Sequence, residues 1–428
     1  MKRLITGAAM LFTLSLQSQT KIDATEKKIL AQVDRNHAHS LRLLKDLVNI
    51  NSGTLNVEGV KKTGALLRTQ FDSIGFQTEW ITLPDSLKRA GHLVASVNGN
   101  KGKKLFLIGH LDTVFEPDSS FKEFRMINDS TATGQGVNDM KGGDVIIFAA
   151  LQSLHELGLL KDVSITAYFT GDEENAGKPD QVSRKDFIER ARKHDIALGY
   201  EGAQGLNTVA TARRGSSSWQ LKVSGVQAHS AGVFTVGYGS IYETARILNE
   251  FREKLGREKY LTFNPGLIAG GSNLQYDSEK LQAITSSKTN IISPATVVAG
   301  DLRFITEVQK RKARESMRKI VASKNLLATK AEISFKDGIP AMEPAAKNDA
   351  LVTKLNEISL AMGIGSTRAG DPGSRGAGDI SYIANYVACI DGLGAMGKGS
   401  HAPGETIDLK HFQDLVKRSA LLIYRLTR

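Results

Sequence analysis

His110 and Asp112, in the stretch IGHLDTVF, are the first side chains whose types and spacing could do chemistry. An apolar run ends at Gly109, and on extended backbone residues two apart project to the same face, so imidazole and carboxylate point the same way. One can then coordinate a metal ion while the other orients it by accepting a hydrogen bond from the second ring nitrogen. Asp139 follows in GQGVNDMKGGD, a glycine-rich turn leading into a helix, where backbone can approach a ligand closely. TGDEENAG then puts Glu173 beside Glu174 at the end of another apolar run. Adjacent carboxylates repel unless something positive compensates. Neighbouring side chains on extended backbone diverge, so one ligand and one general base is the natural division. Glu201 in LGYEGA ends a further apolar run, and His401 sits in the Gly/Pro loop GKGSHAPGET.

Taken singly, each has a plainer reading: a surface His–Asp pair, a helix cap, solvated loop charge. Five strand-end or Gly-loop positions bearing His, Asp, Glu, Glu and His are less ordinary, because α/β sheets gather ligands at the carboxyl ends of their strands.

The elements that must position these groups alternate. EKKILAQVDRNHAHSLRLLKDLVNI, VEGVKKTGALLRTQFDSIG and GDVIIFAALQSLHELG read as helices, the second stopping at a glycine. KKLFLIGHLD, DVSITAYFTGDEE and DIALGYEGA read as buried strands of a mixed or parallel sheet. After TARRGSSS the order becomes βαββαβ: SWQLKVSGV, GSIYETARILNEFREKL, two strands around a Pro turn in KLQAITSSKTNIISPATVVAGDLRFI, EVQKRKARESMRKIVASKN and KAEISFKDG. From about Gly338 the α/β style returns with a helix at NDALVTKLNEISLAMG and the Gly-rich loop AGDPGSRGAGDIS. The expected layout is a discontinuous α/β domain, residues 24–213 and 337–428, with a compact module inserted at 214–336.

Composition narrows the class. With 41% apolar and 24% charged residues, the 428-residue chain is globular and large enough for several domains. Residues 1–19 read as a secretory signal peptide, charged at Lys2 and Arg3 and then apolar from about Leu4 to Leu16, so the expected location is periplasmic or secreted. That apolar stretch falls short of the roughly 20 residues needed to span a bilayer, so no membrane association is expected once the leader is removed. The single cysteine, Cys389, rules out an internal disulfide framework and reads as buried. A formal charge of +11 raises the question of nucleic acid, but the basic residues are scattered and lack interleaved aromatics, so no nucleic-acid partner is expected.

In order, GHLDTV, GVNDMKGG, GDEENAG, YEGA and GSHAPGE resemble the M20 family of zinc-dependent exopeptidases and amidohydrolases, the glutamate carboxypeptidase branch above all. The resemblance extends to VNINSGTLN near the start and to the inserted module. It implies a zinc-exopeptidase-like catalytic domain, with a mixed central sheet flanked by helices, and a ferredoxin-like lid or dimerisation domain. It implies two Zn2+ per chain, with Co2+ or Mn2+ as alternatives, bridged by Asp139; His110 and Glu201 complete one site, Glu174 and His401 the other. Asp112 would hold His110, Glu173 would be the base, and the Asp139–Met140 peptide bond would be cis. In the module, VSGVQAHSAG makes His229 the group that polarises the scissile carbonyl, often in a partner subunit's site. Asn290 and Arg303 fall where the family binds the substrate's carbonyl and carboxylate, and an arginine fork suits a carboxylate.

The expected activity is cleavage of an amide or peptide bond beside a free carboxylate, releasing a C-terminal glutamate or similar amino acid. Dipeptidase and N-acyl-amino-acid deacylase are the alternatives within the family, so the partner is a small peptide or N-acyl amino acid, with a homodimer through the module also implied. The alternative from another class is an exported solute-binding protein, which has no reason to carry Glu173 beside Glu174.

Overall fold

A computed structural model of the chain describes residues 21–119 and 122–428; the expected leader lies outside them. Among the described residues, no helix is long and apolar enough to cross a membrane.

Four parallel neighbours form the part of the central sheet that matters for the site, in the order Val163–Thr170, Lys101–His110, Ile196–Gly199, Ala388–Ile390. The antiparallel strands His92–Val97 and Gln77–Ile81 extend the sheet beyond Val163–Thr170, which makes it mixed. Its central strands are apolar on both faces because both faces are covered. Leu105 and Leu107 enter one buried cluster, while Phe106 and Ile108 enter the other. On the first face pack the helices Ala24–Val48, Lys141–Glu156 and Phe412–Leu426, which touch one another. The Ala24–Val48 helix opens with a capping box between Asp23 and Glu26. Opposite, Tyr168, Phe187, Met342, Ile380 and the buried Cys389 close the core.

A second sheet, built from Gly215–Gly225, Thr262–Gly271, Ala295–Phe304 and Thr329–Asp337, is wholly antiparallel. Helices Gly239–Leu255 and Glu307–Val321 cover one face, burying Trp219, Leu221, Phe251, Leu302, Phe304 and Met317 in a separate core. The βαββαβ order is present, with one strand in a different place from the reading of the sequence. The partner of Ala295–Phe304 is Thr262–Gly271, whereas Gln282–Ser286 pairs only with Asn273–Asp277 in an additional hairpin. Thr262–Gly271 carries Pro265 and three glycines, which weaken any strand signal. It tolerates them because it is an edge strand and Pro265 sits at a register shift.

A buried cation locks the larger unit beside the carboxyl end of Val163–Thr170. Arg184, 1% exposed, donates from Nε to Asp379 at 2.7 Å and from Nη1 to Asp172 at 2.5 Å. Ser183 and the Gly177 amide satisfy Asp172's other oxygen. Replacing Arg184 with Met leaves two buried carboxylates without their cation. The expected cost is about 3–5 kcal/mol, read as a lower midpoint in thermal or urea unfolding.

Candidate metal centre

The sheet delivers its chemistry at adjacent strand ends. His110 is the last residue of Lys101–His110, Glu173 and Glu174 follow Val163–Thr170, and Glu201 follows Ile196–Gly199. Backbone packing fixes Glu201. Added Cβ atoms at Gly143 and Gly394 would lie 2.1 and 1.9 Å from the Tyr200 carbonyl oxygen, so glycine at both positions lets a helix turn and a loop close on it. Asp139 lies just before the Lys141–Glu156 helix, and its bond to Met140 is cis, as the resemblance implies. His401 comes from the loop between Gly397–Lys398 and Thr406–Asp408; the latter pairs with Thr131–Thr133 and so brings this loop to the Asp139 turn.

Five of the predicted residues meet as two triads that share Asp139: His110, Asp139 and Glu201, and Asp139, Glu174 and His401, with ligand-type atoms of each triad within 4.8 Å of one another. Asp139 Oδ1 lies 3.4 Å from His110 Nε2, and its Oδ2 lies 3.3 Å from His401 Nε2. His110 Nε2 is 3.8 Å from Glu201, and His401 Nε2 is 3.2 Å from Glu174.

These atoms fit divalent cations. His110 Nδ1 donates to the Asp112 carbonyl at 3.0 Å, which leaves Nε2 as the free ring nitrogen, facing two carboxylates with no hydrogen-bond partner. Glu174 Oε1 is likewise buried without one. The electrostatics state the same demand for positive charge. Hydrogen bonds with Asp139 and Glu174 push His401 up to about 11. Burial works against protonation of His110, but Asp112 and Asp139 overcome it and raise its pKa well above the ordinary value. Burial and then Asp139 push Glu201 up to about 7. Burial also acts to raise Asp139, yet the two imidazoles that face it, His110 and His401, hold it below the usual carboxylate range. Imidazole nitrogens and carboxylate oxygens in this arrangement are the donor set of zinc and its neighbours in the first transition row.

Asp112 engages His110 and the two glutamates together. Its carbonyl takes the His110 bond, while its carboxylate lies 3.5 Å from Nδ1. The carboxylate also accepts the Glu173 amide at 3.0 Å, the Glu174 amide at 3.1 Å and the Thr54 hydroxyl at 2.6 Å. It therefore holds the two glutamates and ties in the NSGT segment, which bridges to Thr113 through Gly53. Glu173 lies outside both triads and lines a small cavity with Ile108, His110, Glu201, Asp379 and Ile380. Burial, with Glu201 and Asp379 adding to it, raises its carboxyl well above the ordinary range.

The remaining predicted residues stand apart. His229 bridges Ile291, and the Ser230 amide donates to the Asn290 carbonyl at 2.9 Å, which groups His229 with Asn290 before the start of Ala295–Phe304. Arg303 sits near the opposite end of that ten-residue strand, paired with Asp301 at 2.7 Å. At ~3.4 Å per residue the two ends are about 30 Å apart. Among the described residues, no hydrogen bond or ion pair joins these three to the triads.

The sequence reading missed several supports. Glu405 accepts three backbone amides of the Asp139 turn. Arg213 ion-pairs Asp391 and donates to the Gly376 and Ala377 carbonyls of the Gly-rich loop. Glu405 lies inside the GSHAPGE motif, where an acidic residue in a Gly/Pro loop was visible; the Arg213 pairing spans distant segments and leaves no local signal.

The profile of peptidase family M20/M25/M40 matches residues 106–425. The chain is 25% identical over 387 residues to carboxypeptidase G2 of Pseudomonas sp. (strain RS-16), covering 90% of this chain and 88% of that one. It is 22% identical over 394 residues to the succinyl-diaminopimelate desuccinylase of Pelagibacter ubique, covering 89% and 96%. Its fold superimposes on aminopeptidase PepT of Bacillus cereus with a TM-score of 0.71 at 16% identity, over 92% of this chain and 99% of that one. With the match running from the first parallel strand of the site into the last helix, the chain belongs to peptidase family M20/M25/M40 and is a hydrolase.

Proposed function

We propose that this hydrolase binds two zinc ions and cuts an amide bond next to a free carboxylate, releasing a C-terminal glutamate or similar amino acid. The observation that carries the reading is the sharing of Asp139 between two triads, with Glu173 beside them but in neither. Two bound divalent cations polarise a carbonyl and lower the pKa of water toward 7. In this reading Glu173 takes the proton of the attacking water and returns it to the leaving amine. Asp112 keeps Glu173 in place through its amide.

His229 and Asn290 approach the substrate carbonyl, and Arg303 forks onto the free carboxylate. One substrate cannot touch both ends of the Ala295–Phe304 strand in a single copy, which favours a homodimer in which a second copy supplies His229 and Asn290. The name of the Pseudomonas relative supports a carboxypeptidase, and that of the Pelagibacter relative supports the second reading, an N-acyl deacylase.

A panel of folyl-type glutamates, dipeptides, N-acetyl amino acids and N-succinyl diamino acids separates these readings by kcat/KM. The acyl glutamates are expected to lead, and their C-terminal carboxamide analogues to be poor substrates. Carboxamides cut as fast as free acids would overturn the proposal.

A further inference from the structure

We infer that Glu405 is a positioning residue that locks the Asp139 turn to the His401 loop, so that the two triads assemble as one unit. The inference rests on the metal reading above.

Glu405 is 1% exposed, and both of its oxygens are engaged. Oε1 accepts from the Asn138 and Asp139 amides at 2.7 Å each, and Oε2 accepts from the Gly136 amide at 2.8 Å. Its backbone carbonyl accepts from the Thr133 hydroxyl at 2.7 Å and the Gly134 amide at 3.4 Å. One residue therefore gathers the whole Thr133–Asp139 approach to the bridging carboxylate. The turn supplies amides with no helix or strand partner, and a carboxylate is the acceptor that holds several such donors most strongly.

On the other side, Glu405 lies four residues after His401, in the same short loop. His401 is the weakly anchored member of the set: its side chain is 59% exposed, and its backbone stands at φ 65°, outside regular structure. The loop is braced by the bonds from Ala402 N to Gly399 O and from Glu405 N to Ala402 O, and Asn138 Nδ2 reaches Ser400 Oγ at 3.1 Å. The Glu405 carboxylate is thus the main tie between the ligand shared by both triads and the ligand least held by its own loop. Groups that orient ligands without touching the ion typically change metal affinity by about 10–100-fold when removed.

In E405Q an amide NH2 faces a backbone N–H, while size and shape are kept. Zinc affinity of the full chain, measured by competition with a chromophoric chelator, is expected to weaken by about 10–100-fold, together with a smaller zinc-induced rise in the thermal midpoint. E26Q is the control: Glu26 is also buried and pairs with Arg425 far from the site, so it should lower the metal-free midpoint and leave zinc affinity unchanged. Should E405Q not fold, E405D keeps the charge but shortens the reach, and the same loss of zinc affinity is expected. Wild-type affinity for two zinc ions in either folded variant would overturn the inference. Wild-type protein that binds no zinc would overturn the metal reading and, with it, this assignment.

Discussion

Glu173→Gln is expected to lower kcat by about 10²–10⁴-fold, the range for loss of a positioned general base, while the protein keeps both metal ions. The carboxamide has the shape of the carboxylate but cannot take a proton from water. Glu173 is in neither triad, so the substitution removes no ligand. Its backbone stays in place because the Glu173 amide is held by Asp112, whose other oxygen holds the Glu174 amide and the Thr54 hydroxyl. Burial first, then the neighbouring Glu201 and Asp379, raise the Glu173 carboxyl above the ordinary range, the direction that favours taking up a proton. The expected pattern is a fall in kcat with little change in KM, which marks an interaction made only in the transition state. Steady-state rates on the preferred substrate, measured with zinc content per chain, test both halves. Activity within tenfold of wild type would remove Glu173 from the role of base.

The strands that carry the site were legible because they are buried on both faces. Leu105 to Ile108 is an unbroken apolar run followed by Gly109 and a histidine, and Val163–Thr170 and Ile196–Gly199 are likewise apolar stretches followed by acidic residues. Strands with one wet face left weaker traces: Gln77–Ile81 at the sheet edge alternates without a buried residue, and Thr262–Gly271 is interrupted by Pro265 and its glycines. The residues of both triads could be named from the motifs, since each is the ionisable residue next to a strand end or Gly turn. What those residues touch could not. That the Asp112 carboxylate takes two amides besides facing His110, and that Arg184 reaches Asp379 across 195 residues, are facts of tertiary packing with no local periodicity behind them. The separation of Arg303 from His229 and Asn290 was hidden for the same reason: a motif gives order along the chain, while the length of the strand between two motifs gives distance.

Asp139→Asn should have the opposite signature, a loss of metal that drags activity down with it. Each carboxylate oxygen of Asp139 faces a different imidazole, Oδ1 toward His110 and Oδ2 toward His401. The amide nitrogen of asparagine carries two protons and no available lone pair, so one of the two sites must lose this ligand. The charge balance also shifts. In the proposed two-ion centre the carboxylates of Asp139, Glu174 and Glu201 would offset the charge of the ions, and removing one of these would leave a larger uncompensated positive charge in a secluded pocket. Zinc per chain after dialysis is therefore expected to fall from two to one or fewer, with one affinity weakened by more than the roughly 10–100-fold typical of an outer-shell change. The fold should persist, because the Asp139 amide remains bonded to Glu405 and the two catalytic-unit clusters of the core are untouched. Titration calorimetry with zinc, alongside far-UV circular dichroism, separates lost metal from lost structure. Two tightly bound ions in this variant would mean that Asp139 does not bridge them, and the sharing of its oxygens between the two histidines would then be an ion-pair network rather than a metal centre.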